Sequence, residues 1–156
     1  MKSQITAQHT RSIYPIYDDE YLDFYIDGTL LSDLLDTAFP SHQLKGLVPT
    51  TGGWLMDRKD ETPVWARILP DERQTTLCPI LICPDDRDYF CTTVLVEIER
   101  IGEEVRWNRF GLNREFEFRQ YELLGKSVDW FVNSPDCVFA LEEYRNVIER
   151  MRADKK

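Results

Sequence analysis

Two cysteines and three aspartates crowd into one short stretch of the chain: Cys83, Asp85, Asp86, Asp88 and Cys91. Thiols and carboxylates bind metals, exchange disulfides and move protons, so chemistry is sought here first. The spacing argues against the familiar patterns. Zinc ligand pairs usually stand about two to four residues apart and come as two pairs. Here Cys78, Cys83 and Cys91 leave gaps of four and seven residues, and the two histidines, His9 and His42, lie far off in sequence. The expectation is therefore strand thiols, with no metal and no cofactor. Asp85, Asp86 and Asp88 lack the regular spacing and the glycine of a calcium-binding loop. They read as an acidic hairpin tip that stays in water or meets a basic partner. Cys137 is placed in the first turn of an expected helix, where the helix dipole would lower a thiol pKa.

Other catalytic patterns are missing. The chain holds no G-x-S-x-G elbow, no P-loop, no G-x-G-x-x-G fingerprint and no H-E-x-x-H. A Cys–His pair would have to be assembled from distant parts of the chain. The expected class is thus a binding protein and not an enzyme. In Trp107-Asn108-Arg109-Phe110, either Arg109 stands beside aromatics in an interface, or Trp107 is simply a core residue of a strand.

The elements that must position these residues alternate between apolar strands and turn signals. Residues 12–17 are apolar-rich and carry aromatics, residues 20–27 mix aromatics with acids, and both suit half-buried strands. Asp27-Gly28 is a turn, after which Thr29 is expected to cap a short helix carrying Leu30, Leu31, Leu34, Leu35 and Ala38 on one face, ended by Pro40. Punctuation by Pro and Gly makes residues 40–63 a long surface loop, anchored at Trp54 and Leu55. Residues 64–69 fit a short strand or a short helix. Residues 77–83 form a strand, with Pro79 pointing to an edge or early position. Residues 92–101 and 105–110 form a hairpin around the two-residue turn Gly102-Glu103, which pairs Ile101 with Glu104, Glu99 with Arg106 and Ile98 with Trp107. Phe116, Phe118 and Tyr121 belong to a short strand or turn, which leads into a helix containing Leu123, Leu124, Val128, Trp130 and Phe131. Ser134-Pro135 then opens a last helix reaching about Arg152, with Val138, Leu141, Tyr144, Ile148 and Met151 on its apolar face. Lys155 and Lys156 complement its dipole. The sum is one α+β domain over residues 1–156: mainly antiparallel sheet, a C-terminal helix, and one or two shorter helices packed on it.

Composition supports a folded chain. It has 156 residues, 42% hydrophobic and 30% charged, with four Trp, seven Tyr and eight Phe. That is enough to bury a core without disulfides or metal. The net charge of −9 lies entirely in residues 1–99, with 17 acids against 8 bases, while residues 100–156 hold 11 of each. Such a field repels phosphate backbones, which disfavours nucleic acid as a partner, and it attracts a cationic protein. No apolar run approaches membrane-spanning length and the first residues form no signal-peptide core, so the expected location is the cytoplasm, with cysteines as thiols and no membrane association.

Residues Cys83, Asp88, Cys91, Val105, Trp107, Phe110, Phe116, Phe118 and Tyr121 form a pattern: strand, Cys, short loop, Cys, strand, then Val-x-Trp-x-x-Phe and Phe-x-Phe. Over about 45 residues this resembles a group of small uncharacterised bacterial proteins. Asp86, Arg87 and Phe90 replace the extra cysteine and glycines usual in that loop. The resemblance brings no activity with it. In size and character the group is similar to immunity proteins, which implies a binding protein that neutralises a basic, nuclease-type toxin. Asp18, Asp19, Glu20, Asp23, Asp85, Asp86 and Asp88 would steer and contact such a partner, and Tyr17, Tyr21 and Tyr89 would anchor it. The alternatives are a small metal-dependent or thiol-containing enzyme or regulator centred on residues 83–91, and a structural subunit of an assembly.

Overall fold

The computed structural model describes residues 2–17, 19–114 and 124–154. Its first strand is one that the hydropathy pattern hides. β1 (Ile5–Arg11) pairs antiparallel with β2 (Glu20–Ile26), Ile5 opposite Ile26 and Arg11 opposite Glu20. Only Ile5 and Ala7 of β1 are buried, so its alternation is brief. Residues 12–17, expected as a strand, are turns and bends instead. Their backbone bonds close locally: Tyr14 N–H donates to the Ser12 hydroxyl at 3.1 Å, and Tyr17 N–H to the Tyr14 carbonyl at 3.0 Å. Pro15, in their middle, has no N–H to give a ladder.

Asp27 and Gly28 both take left-handed backbone, φ 51° and 84°, the geometry of a tight hairpin turn. The turn feeds β3 (Thr29–Leu30), which pairs back on β2. Thr29 is therefore a strand residue. Helix α1 (Leu31–Ala38) starts at Leu31 without any side-chain cap, and it buries Leu31 and Leu35 beside β2.

A second sheet holds the remaining strands: β4 (Val48–Pro49), β5 (Thr75–Ile82), β6 (Thr93–Ile101), β7 (Glu104–Asn113), β8 (Val128–Trp130) and β9 (Cys137–Ala140). The β6–β7 hairpin has the expected register, Ile101 opposite Glu104, Glu99 opposite Arg106 and Ile98 opposite Trp107. Gly102 supplies the positive φ, 58°, that its turn demands. Pro79 stands where the β5–β6 register shifts, and β4 pairs only with Leu81 and Ile82, so its missing N–H interrupts nothing. The far edge of β7 is shared. β9 pairs with residues 104–107 and β8 with residues 111–113.

Further expectations are narrowed or give way. Residues 40–63 are only in part a surface loop: besides the expected anchors Trp54 and Leu55, Leu44, Leu47, Val48, Thr50 and Thr51 are buried, although the region has little regular structure. Of the two forms expected for residues 64–69 the chain takes the helical one, in α2 (Thr62–Arg67). The expected helix around Val128 and Trp130 is strand β8, and the last helix, α3 (Leu141–Ala153), begins after β9 and not at Ser134. The Ser134 hydroxyl accepts the Phe110 N–H at 2.8 Å, filling the gap between β8 and β9 on the β7 edge. Phe116, Phe118, Tyr121, Leu123, Lys155 and Lys156 lie outside the described residues.

Both sheets share one core. Phe24 on β2 meets Trp107 on β7 edge-to-face at 5.9 Å, and Trp107 also contacts Phe110, Phe139 and Tyr144. The Trp107 indole N–H donates to the Tyr144 hydroxyl at 3.2 Å, which donates to the Ile68 carbonyl at 2.6 Å, so the buried polar atoms of this cluster are matched. Helix α3 closes the amino-terminal hairpin. Ile5 N–H donates to the Glu143 carboxylate at 2.8 Å and the Arg150 guanidinium to the Ala7 carbonyl, while β9 accepts Ser3 N–H at the Val138 carbonyl, 2.7 Å.

Candidate functional site

The loop between β5 and β6 turns on itself immediately after β5. Arg87 N–H reaches back to the Cys83 carbonyl at 3.2 Å, and Arg87 takes left-handed backbone, φ 57°. A non-glycine residue in that conformation costs roughly 1 kcal/mol, which the surroundings must offset. Here the Arg87 side chain does so. Its Nε donates to the Trp54 carbonyl at 2.7 Å and an Nη to the Gly53 carbonyl at 3.4 Å, while the Arg87 carbonyl accepts the Met56 N–H at 3.1 Å. Tyr89 is buried and donates its hydroxyl to the Asp60 carbonyl, and the Thr93 hydroxyl bonds the Tyr89 carbonyl at 3.2 Å. The loop is thus pinned on both sides of its tip to residues 53–60.

Residues 12–20 come to the same end of the molecule. The Tyr17 hydroxyl donates to Asp85, a contact that raises the Tyr17 pKa. The Tyr17 ring stands edge-on to Trp54 at 5.5 Å, as does Tyr21 from the other side at 5.2 Å. Tyr14 packs over Gly46, where an added Cβ would lie 2.8 Å from its ring, so glycine is required for the approach. Between these pieces lies a cleft of about 350 Å³, whose walls include Ile16, Asp19, Glu20, Trp54 and Arg87. The indole Nε1–H of Trp54 is buried and has no hydrogen-bond partner among the described residues. Beyond Arg87 a second hollow is lined by Met56, Asp57, Arg58, Asp60, Asp86, Asp88 and Phe90.

The expected contact residues therefore divide. Asp19 and Glu20 are exposed beside the cleft, and Asp85 and Asp86 are exposed on the loop that Tyr17 ties to it, with Asp88 partly exposed. Glu20 also faces Arg11 across the hairpin at 3.7 Å. Asp18 lies outside the described residues. Asp23, Tyr21 and Tyr89 cannot present a contact surface, because all three are buried: Asp23 on β2, Tyr21 under Trp54, and Tyr89 under its own loop. Burial raises the Tyr21 hydroxyl pKa, and it holds Asp23 well above the ordinary carboxyl value of 3.8, aided by the charge of Asp33. What sequence reasoning missed is apolar. Ile16 and Met56, 81% and 70% exposed, stand at this end. Arg87, the residue joining both hollows, stands out in the sequence only as a departure from the Cys- and Gly-rich loop of the resembling group.

Four arginines between residues 100 and 114 are engaged elsewhere. Arg106 pairs with Glu104 and Arg114 with Asp129, each at 3.1 Å, and Arg100 lies 4.0 Å from Glu72. Arg109 pairs with Glu97 at 3.1 Å while lying over the Trp130 ring at 3.7 Å, and Trp107 is a core residue of its strand.

Within the loop, Cys83, Asp86 and Cys91 meet: Sγ, carboxylate O and Sγ all lie within 4.8 Å of one another. Cys83 is partly buried and Cys91 is exposed. Partial burial raises the Cys91 pKa, and the neighbouring Cys83 and Asp86 raise it further. The other thiols are structural. Cys78 is buried on β5 with its pKa raised by burial. Cys137, expected at a helix N-terminus with a lowered pKa, sits on β9, where burial pushes it up to about 11.

Among the described residues no helix is long and apolar enough to cross a membrane. Comparison with protein-family models, with curated proteins and with solved structures found no match.

Proposed function

We propose that this chain is a protein-binding module whose partner is basic, in the manner of an immunity protein that neutralises a nuclease-type toxin. The observation that carries this reading is the meeting of two acidic segments, distant in sequence, around exposed apolar side chains. Tyr17 ties Asp85 to the segment bearing Asp19 and Glu20, with Ile16 and Met56 standing out beside them. Carboxylates at such a surface speed encounter with a cationic protein, and apolar side chains surrounded by polar ones supply the burial energy of a docked complex. Arg87 gives the surface rigidity, because both of its anchors are main-chain carbonyls that cannot rearrange separately.

The test is co-purification with the product of the adjacent upstream gene, followed by association kinetics on the complex. Reversing Asp19, Glu20 and Asp85 to lysine should slow association by about tenfold or more at low salt and flatten its dependence on ionic strength. Replacing Met56 with alanine should act mainly on dissociation. An association rate unchanged by the triple reversal would remove the docking surface from this end of the molecule.

A further inference from the structure

We propose that Cys83, Asp86 and Cys91 form a binding site for a borderline-soft divalent cation of the zinc type, with three protein ligands and a fourth position open to water. The inference is independent of the docking reading.

Its basis is convergence. Two sulfurs and one carboxylate oxygen lie within 4.8 Å of one another. In a tetrahedral site, sulfur lies about 2.3 Å and oxygen about 2.0–2.2 Å from zinc, which places ligand atoms somewhat under 4 Å apart. Small side-chain rotations would close the difference. The backbone has already made the larger adjustment. The turn from Cys83 to Arg87 carries Asp86 back beside Cys83, and the return of the chain from Tyr89 into β6 brings Cys91 alongside. Both limbs are fixed from outside by Arg87 and Tyr89, so little conformational entropy remains to be lost on binding.

The donor set selects the ion. Thiolates suit zinc and disfavour magnesium or calcium, which take oxygen ligands. It also distinguishes metal binding from disulfide exchange. A carboxylate beside two thiols hinders formation of the attacking thiolate, whereas a dication turns the same gathering of negative charge into attraction. Two protons leave the thiols as the ion enters, so affinity should rise with pH. Asp86 would then be a ligand, leaving Asp85 and Asp88 as the loop's outward charges.

The experiment uses the reduced full chain in chelator-treated buffer. Zinc affinity is measured by competition against a chromophoric chelator, and Co(II) serves as the spectroscopic probe. Expected are one ion per chain, a thiolate-to-cobalt charge-transfer band, and the visible bands of a tetrahedral centre. Cys78 and Cys137 are buried on β5 and β9, so the thiolate band reports on Cys83 and Cys91. Cys83→Ser and Cys91→Ser should each weaken binding by more than the ~100-fold typical of losing an outer-shell partner. Asp86→Asn should weaken it less while leaving the thiolate band in place. Circular dichroism verifies that each variant is folded. Absence of stoichiometric uptake by the wild-type chain would overturn the proposal. So would uptake that survives in the double cysteine variant, or a chain that forms a Cys83–Cys91 disulfide in air yet has no affinity for either ion.

Discussion

Asp23 is a fully buried carboxyl group. Its Oδ1 accepts the Phe24 N–H at 2.7 Å, and its Oδ2 has no partner among the described residues. Burial favours the neutral form, so the folded chain keeps a proton that the unfolded chain releases above the ordinary value of 3.8. The sign follows from linkage: the native state binds more protons in this window, so Asp23 lowers stability progressively as pH rises from about 4 toward its folded pKa. Asp23→Asn should therefore flatten the decline of stability above the ordinary carboxyl value. Urea denaturation across pH checks this. An unchanged slope would mean that Asp23 is ionised in the folded state. The residue also shows a limit of reading acids as surface. Its place among Asp18, Asp19 and Glu20 suggests a solvated charge, yet β2 lies between two other strands and is buried along almost its whole length.

At the scale of elements, β7 is the strand on which the larger sheet depends, and Gly111 is the point where its pairing is tightest. A Cβ there would lie 2.6 Å from Val128 Cγ1 and 2.9 Å from the Asp129 carbonyl. Gly111→Ala should push β8 away and cost about 1–3 kcal/mol, read as a lower denaturation midpoint, with faster amide exchange at residues 128–130 and little change at 137–140. Uniform loss of protection along both strands would contradict the separate seating of β8 and β9. How legible each element was follows from how local its signal is. The β6–β7 hairpin could be read because Gly102 and the facing pairs Glu99–Arg106 and Ile98–Trp107 speak for the same register. β9 was hidden because Ser134-Pro135 is a genuine helix-start signal that the fold uses otherwise, lending the Ser134 hydroxyl to Phe110. β1 was hidden by its two buried positions, and the burial of residues 44–55 by the Pro and Gly that ordinarily mark surface. At the candidate site, the nearness of Cys83, Asp86 and Cys91 was partly readable from their place in one loop. The bond from Tyr17 to Asp85 spans 68 positions and no local rule reaches it.

For the molecule as a whole, charge is sorted by location. Four arginines of the last third pair along the outer sheet with Glu72, Glu97, Glu104 and Asp129, while Asp19, Asp85 and Asp86 collect at the end where residues 12–20 meet the β5–β6 loop. Association with a cationic partner should accordingly weaken with salt, whereas the fold itself should respond little, since its ion pairs are exposed and worth little each. The seam between the two ends of the chain sets a different constraint, one of order in time. Ile5 and Ala7 bond to side chains 138 and 143 positions downstream, so a ribosome delivers the first hairpin long before its cover exists. A nascent chain arrested ahead of residue 141 should remain open to protease at β1 and tend to aggregate, and release of α3 from the exit tunnel should abolish both behaviours in a single step. Helix α3 is in this sense the latch of the first strands, and a message cut short before it would yield a substrate for quality control in place of a smaller working protein.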